Sequence, residues 1–193
     1  EEFLSHAPAV WLSRIVDSGE EATAWVLEQL KSGVTIEEIL ADSRISKLVT
    51  EKKEELESLN EIILSNMRIQ DRIAVVRLDG SGIRSNGYHV TAVAGDRCDA
   101  CMIIHGDIGS NFGDSDKYPV SASFYTNSFL HRRGGIYDLT ALATLFDSNG
   151  GGHANACGCR IQPIEDGNVV DRDVSEDDIE KNISEWLKMW SKR

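Results

Sequence analysis

The chain has 193 residues, 41% of them hydrophobic, and carries 32 acidic against 20 basic side chains for a formal net charge of −12. That size supports one good core or two small ones. No window approaches the roughly 20 apolar residues of a membrane span, no charged-then-apolar leader marks secretion, and the acidic excess argues against broad binding to a nucleic-acid backbone, which relies on basic surface to release counterions.

The chain begins with Glu1 rather than Met and is expected to be a processed or excised piece of something longer. Residues 1–66 read as helices. Leu4, Ala7, Val10, Trp11, Ile15 and Val16 are spaced for one helical face, and Ala22, Trp25, Val26 and Leu30 repeat the spacing before Gly33. Thr35-Ile36-Glu37-Glu38 has the form of a capping box and starts a new helix. From Ser46 to Met67 a charged, periodic stretch predicts a long helix, plausible as a connector with a solvated acidic face.

After Gln70 the pattern changes to short β-rich runs at Ile73–Leu78, His89–Val93, Met102–His105 and Val120–Thr126, each bounded by Gly, Asp or Asn. A helix is expected over Asp138–Phe146. A last helix starts at Ser175-Glu176-Asp177-Asp178, and its stripe of Ile179, Ile183, Trp186, Leu187 and Trp190 should dock on the sheet, with both tryptophans in the core. The fold class is therefore α/β: a mixed β-sheet domain with packed helices, preceded by an α-helical lead-in. Residues 71–163 hold 8 basic and 9 acidic groups, so this middle segment is nearly neutral. Such a balance suits a small phosphorylated ligand better than a long duplex.

Four cysteines occur as Cys98-Asp99-Ala100-Cys101 and Cys157-Gly158-Cys159. A tetrahedral zinc site, a disulfide and buried reduced thiols are all compatible with that spacing; small buried strand residues are the simplest reading. Reduced thiols suit a cytoplasmic protein.

The run Gly150-Gly151-Gly152-His153-Ala154-Asn155-Ala156-Cys157-Gly158 is the most informative stretch. Glycines reach φ > 0 and let backbone amides converge on an anion, so the run reads as a phosphate cradle joining the 138–146 helix to a following strand. His153 is placed to donate to the phosphate, and Asn155 to read a base edge or cap a turn. On the Val120–Thr126 strand, Ser123, Tyr125 and Thr126 offer hydroxyls. Tyr125 also offers a ring for base stacking. Alternation puts Ser123 and Tyr125 on one face and Thr126 on the other.

From Gly150 to Gly158 the chain resembles the DHH-associated C-terminal domain of the DHH phosphoesterase superfamily, whose signature is Gly-Gly-Gly-His-x-x-Ala-x-Gly. The preceding strand and the Asp138 helix stand in the family's order, and the looser resemblance covers residues 70–193. Many relatives carry an Arg-Ser pair where this chain has Tyr125-Thr126, so Arg132 or Arg133 is a substitute for the usual guanidinium contact. The resemblance implies a phosphoesterase with manganese or another divalent metal held by an N-terminal domain that includes an Asp-His-His triplet. This chain has no such triplet, and its histidines His6, His89, His105 and His131 are widely separated, with only Asp107 close to one. No catalytic or metal-binding residue is therefore expected here.

On that reading residues 70–193 bind substrate, and residues 1–69 are a helical linker or the end of the missing catalytic domain. The substrate-binding set is Gly150, Gly151, Gly152, His153, Asn155, Ser123, Tyr125, Thr126, Arg132 and Arg133. The expected ligand is a short oligonucleotide or small phosphorylated nucleotide, with no membrane partner; a dimer is compatible. A non-catalytic RNA-binding module and a nucleotide sensor are the competing readings.

Overall fold

A computed structural model describes residues 7–108, 120–131 and 134–193, so Leu4 and His6 of the sequence reading lie outside the described residues. The chain divides into two compact units, one ending at Ile62 and one starting at Ile63.

The first unit holds helices α1 (Pro8–Val16), α2 (Glu20–Lys31), α3 (Ile36–Ala41) and most of α4 (Ser43–Ser65). Leu12, Ile15, Val26, Ile39 and Ile45 form its core, one or two residues from each helix. The capping box is present: the Thr35 amide donates to the Glu38 carboxylate at 2.9 Å, and the Glu38 amide donates back to Thr35 Oγ1 at 3.3 Å.

The second unit is built on strands β1 (Met67–Gln70), β2 (Ile73–Arg77), β3 (Ala100–His105), β4 (Ser121–Thr126), β5 (Gly151–His153) and β6 (Ala156–Arg160). They form a mixed sheet in the order β1-β2-β3-β4-β6-β5. Only β2 and β3 run parallel. A small hairpin of β7 (Ile164–Glu165) and β8 (Asn168–Val169) precedes the last helix. The architecture is the expected α/β sheet with packed helices.

Three elements differ from the sequence reading. The run His89–Val93 is not a strand but part of helix α5 (Gly87–Ala94). Its β-branched content suits a strand, yet a parallel β2–β3 pair needs a crossover connection. Asn86 Oδ1 caps the helix by accepting from the His89 amide at 2.9 Å, and Thr91 Oγ1 donates to the Gly87 carbonyl at 2.7 Å. The long α4 stops at Ser65, and Met67 instead opens β1. The turn into β2 places Asp71 and Arg72 at φ values of 46° and 62° without a glycine. It is held from outside, by Trp190 Nε1 on the Asp71 carbonyl at 2.8 Å and by Arg72 on the Asp99 carboxylate at 2.8 Å. Finally, the helix expected over 138–146 is only α6 (Thr140–Ala143), because the Asp147 carboxylate accepts from the Asn149 and Arg160 amides at 2.9 and 2.8 Å and turns the chain toward β5.

One sheet face presents Val75, Met102, Phe124 and Cys157 to α6 and to α7 (Glu176–Trp190), with Phe124 edge-on to Trp186 at 5.1 Å. Ile179, Ile183, Trp186, Leu187 and Trp190 of α7 are all buried there. Asp178 caps this helix in a reciprocal box with Ser175. The opposite face meets α5 over only part of its area, so the rest is left open to a ligand. No described helix is long and apolar enough to cross a membrane.

Candidate functional site

The register of the sheet assembles the open face in three rows. His105, Ser121 and Arg160 make the first; Ile103, Ser123, Gly158 and Gly151 the second; Cys101, Tyr125, Ala156 and His153 the third. Cross-strand partners share a face, so each row is a line of neighbouring side chains. The middle row carries almost no side-chain bulk beyond Ser123, and it forms a floor. A cleft of about 520 Å³ opens over the first two rows, lined by Arg84, Ser121, Ser123, Asp147, Asn149 and Arg160.

The glycine run is not a loop between a helix and a strand; Gly151–His153 is the edge strand β5, hairpinned to β6. Successive amides of an extended strand point to opposite sides. The three glycine amides therefore do not converge, and that of Gly150 already donates to the Asp147 carbonyl at 2.9 Å. Each glycine is required for a different reason. A Cβ on Gly150 would strike the Ala143 carbonyl, and one on Gly152 would stand 2.7 Å from the Ala156 carbonyl oxygen and 2.8 Å from the Cys157 Cα. Gly151 is different: at φ 154° its Cβ would project into open space, so its bareness keeps the floor accessible. Gly158, paired with it, would bring a Cβ to 2.9 Å from the Ala122 carbonyl oxygen.

Ser123 and Tyr125 share the open face with His153, and Thr126 lies on the other. One side of the Tyr125 ring is packed on Gly87, and Tyr88, 53% exposed, stands 5.9 Å away at a tilt. Burial pushes the Tyr125 phenol above its ordinary pKa. The Thr126 hydroxyl is turned to Asn155 Oδ1 at 3.3 Å, and the same oxygen accepts from the Gly135 amide at 2.8 Å. Asn155 thus ties the hairpin turn to the segment before α6. Arg132 and Arg133 lie outside the described residues.

Sequence reasoning missed Ser121, Arg160, Arg84, Tyr88 and His105. Two of them had a signal, since Ser121 is two residues before Ser123 and Arg160 two after Gly158, which alternation puts on the same face. His105 is 6% exposed, and its Nδ1 has no partner among the described residues. Burial, reinforced by the nearby Arg84 charge, lowers its pKa to about 4, so the ring is neutral.

The described residues do not fit a divalent-metal centre. No group of three His, Cys, Asp or Glu is gathered among them. His131 pairs with Asp99 at 3.1 Å, and Asp99 is already engaged by Arg72. The four cysteines are buried free thiols: Cys101 turns to the Gly87 carbonyl on the α5 side, whereas Cys157 and Cys159 lie in the core under α7. Opposite faces of a sheet cannot supply one tetrahedral site. Burial pushes Cys98 up to about 11 and Cys157 and Cys159 up to about 12.

No family model matches the chain, and no curated protein does. Among solved structures it is similar to the pGpG-specific phosphodiesterase PggH of Vibrio cholerae, with a TM-score of 0.70 and 14% identity over 97% of this chain and 59% of that one. An exopolyphosphatase-related protein of Bacteroides fragilis matches at a TM-score of 0.49 and 18% identity, over 89% of this chain and 44% of that one. A DHH-domain member of the s1p family of ribosomal proteins matches at 0.47 and 15% identity, over 93% and 42% respectively. These neighbours are DHH-family proteins, and the fold is the one the resemblance of Gly150–Gly158 implies. The chain spans about three fifths of the length of the phosphodiesterase.

Proposed function

We propose that this chain is the substrate-holding part of a metal-dependent phosphoesterase that cleaves phosphodiester or phosphomonoester bonds in short oligonucleotides or small nucleotides. The observation that carries this reading is the register that sets Ser123, Tyr125, Gly151 and His153 on one open face. The likeness in fold to a pGpG-specific phosphodiesterase supports the nucleotide class.

In this role His153 and Ser123 donate hydrogen bonds to a phosphate that approaches over Gly151 and Gly158, where no side chain intervenes. The free side of Tyr125, with Tyr88 beside it, takes a base by stacking. Residues 70–193 hold the ligand, and residues 1–69 lead from the part of the protein that carries the metal. Contacts remote from the reacting bond supply orientation, which lowers the barrier when the reacting groups are held in line.

The test is calorimetry of a 5′-phosphorylated dinucleotide against the wild type, Gly151→Val and His153→Ala. Binding by the wild type and a loss of about tenfold or more in each variant, about 1.4 kcal/mol, is expected. Unchanged affinity in both would sink the assignment. Metal-stimulated release of mononucleotides by this chain alone would overturn the placement of the catalytic centre outside it.

A further inference from the structure

We infer that the Arg160 end of the open face is a second anion subsite, which takes a further phosphate of the nucleotide whose other phosphate lies at His153. The inference rests on the nucleotide reading above and narrows its substrate class to nucleotides with two separated phosphates.

Arg160 stands apart from the other arginines of this unit. Arg68, Arg72, Arg77, Arg172 and Arg193 are each in an ion pair with a carboxylate. Arg97 is spent on the Ala94 and Val93 carbonyls. The Arg160 guanidinium has no hydrogen bond or ion pair among the described residues, although its own backbone is pinned by the Asp147 carboxylate at 2.8 Å. Its side chain is exposed at the wall of the cleft, with Arg84 lining the same cleft. An arginine held in place at the backbone and unpaired at its tip is suited to bidentate recognition of phosphate.

The row containing Arg160 adds neutral partners. Ser121 is its cross-strand neighbour, and His105 follows in the same row with a buried, unpartnered Nδ1. The one carboxylate in the cleft, Asp147, is occupied by two backbone amides, those of Asn149 and Arg160. The cleft therefore offers two guanidinium groups against a single engaged acid.

Geometry requires two anions rather than one. Ala156, the partner of His153, and Arg160 are four residues apart on β6, a separation of roughly 13 Å along an extended strand. One phosphate cannot contact both ends. Between them lies the Ser123–Gly158–Gly151 floor, bare enough to admit a sugar and its linkage.

The experiment compares wild type with Arg160→Gln, an exposed substitution outside the core, for two dinucleotides of the same bases, one with and one without a 5′-phosphate. The expected result is an affinity loss of about tenfold or more for the phosphorylated dinucleotide and none for the other. Equal losses for both, or no loss for either, overturn the subsite. If neither dinucleotide binds the wild type, the nucleotide reading itself fails. Inorganic phosphate then decides on the subsite: amide NMR shifts at Ser121 and Arg160 in the wild type that vanish in Arg160→Gln sustain it, and their absence ends it.

Discussion

The ring of Tyr125 fills the space in which a Gly87 Cβ would stand. Helix α5 and strand β4 are thereby locked together through a glycine at the first turn of the helix. Gly87→Ala is expected to push the ring off its seat, with an overpacking cost of about 1 to 3 kcal/mol. Urea unfolding measures that cost, and ligand affinity should fall with it although Tyr125 is chemically intact. Wild-type affinity in a stably folded Gly87→Ala protein would show that the ring position does not matter to binding.

The glycines of β5 should separate into structural and functional members. Gly150→Ala and Gly152→Ala drive a Cβ into backbone atoms, so both should lower the melting temperature markedly. Gly151→Ala meets nothing, though its φ of 154° is strained for an alanine at about 1 to 3 kcal/mol. It should cost the least stability of the three while still weakening ligand binding. Thermal melts in parallel with calorimetry check that order, and a Gly151→Ala protein as unstable as the other two contradicts it.

Stability should fall with acidity in two windows. His105 has a folded pKa of about 4, below its ordinary 6.5, so the unfolded chain takes up a proton first. The stability contributed by its neutral form is complete above pH 6.5 and is lost as pH falls toward 4, in total about 3 kcal/mol. Arg84 and Asp79 are the charged groups acting on it, in opposite directions. Asp178, fully buried, is held well below the usual carboxylate range first by Arg172 at 2.6 Å and then by Ser175 and the Ile164 amide. Its contribution is present above about pH 4 and disappears below it. Denaturation midpoints should show a shallower slope between pH 6.5 and 4 in His105→Gln, and an unchanged slope there in Asp178→Asn.

The thiols should be inert in the native protein. Cys98, Cys101, Cys157 and Cys159 are buried, and burial raises all four above the ordinary thiol value. Since the thiolate is the reactive form, labelling by an aromatic disulfide at neutral pH should be slow until denaturant is added, when four equivalents react. Rapid native labelling of even one cysteine would contradict the packing of the sheet.

Parts of the site were legible because they follow local rules. Alternation along β4 is enough to group Ser123 with Tyr125 and to exclude Thr126, and the Ser175–Asp178 box with its apolar stripe is enough to place α7. The α5 segment was not legible, since its valines and threonine favour a strand in isolation and only the crossover between parallel strands makes it helical. The same holds for β1, whose turn relies on Trp190 and Asp99, both distant in the chain.

The sequence alone determined that residues near 150–158 would be a bare, close-approach surface beside a hydroxyl-bearing strand, because glycine spacing and period-two alternation are properties of adjacent residues. Only the tertiary structure decided what that surface is: an edge hairpin rather than a convergent loop, with Gly151 open, Gly150 and Gly152 structural, and Arg160 brought beside Ser121. Cross-strand register depends on contacts between segments far apart in the chain, and no local pattern encodes which rows will meet.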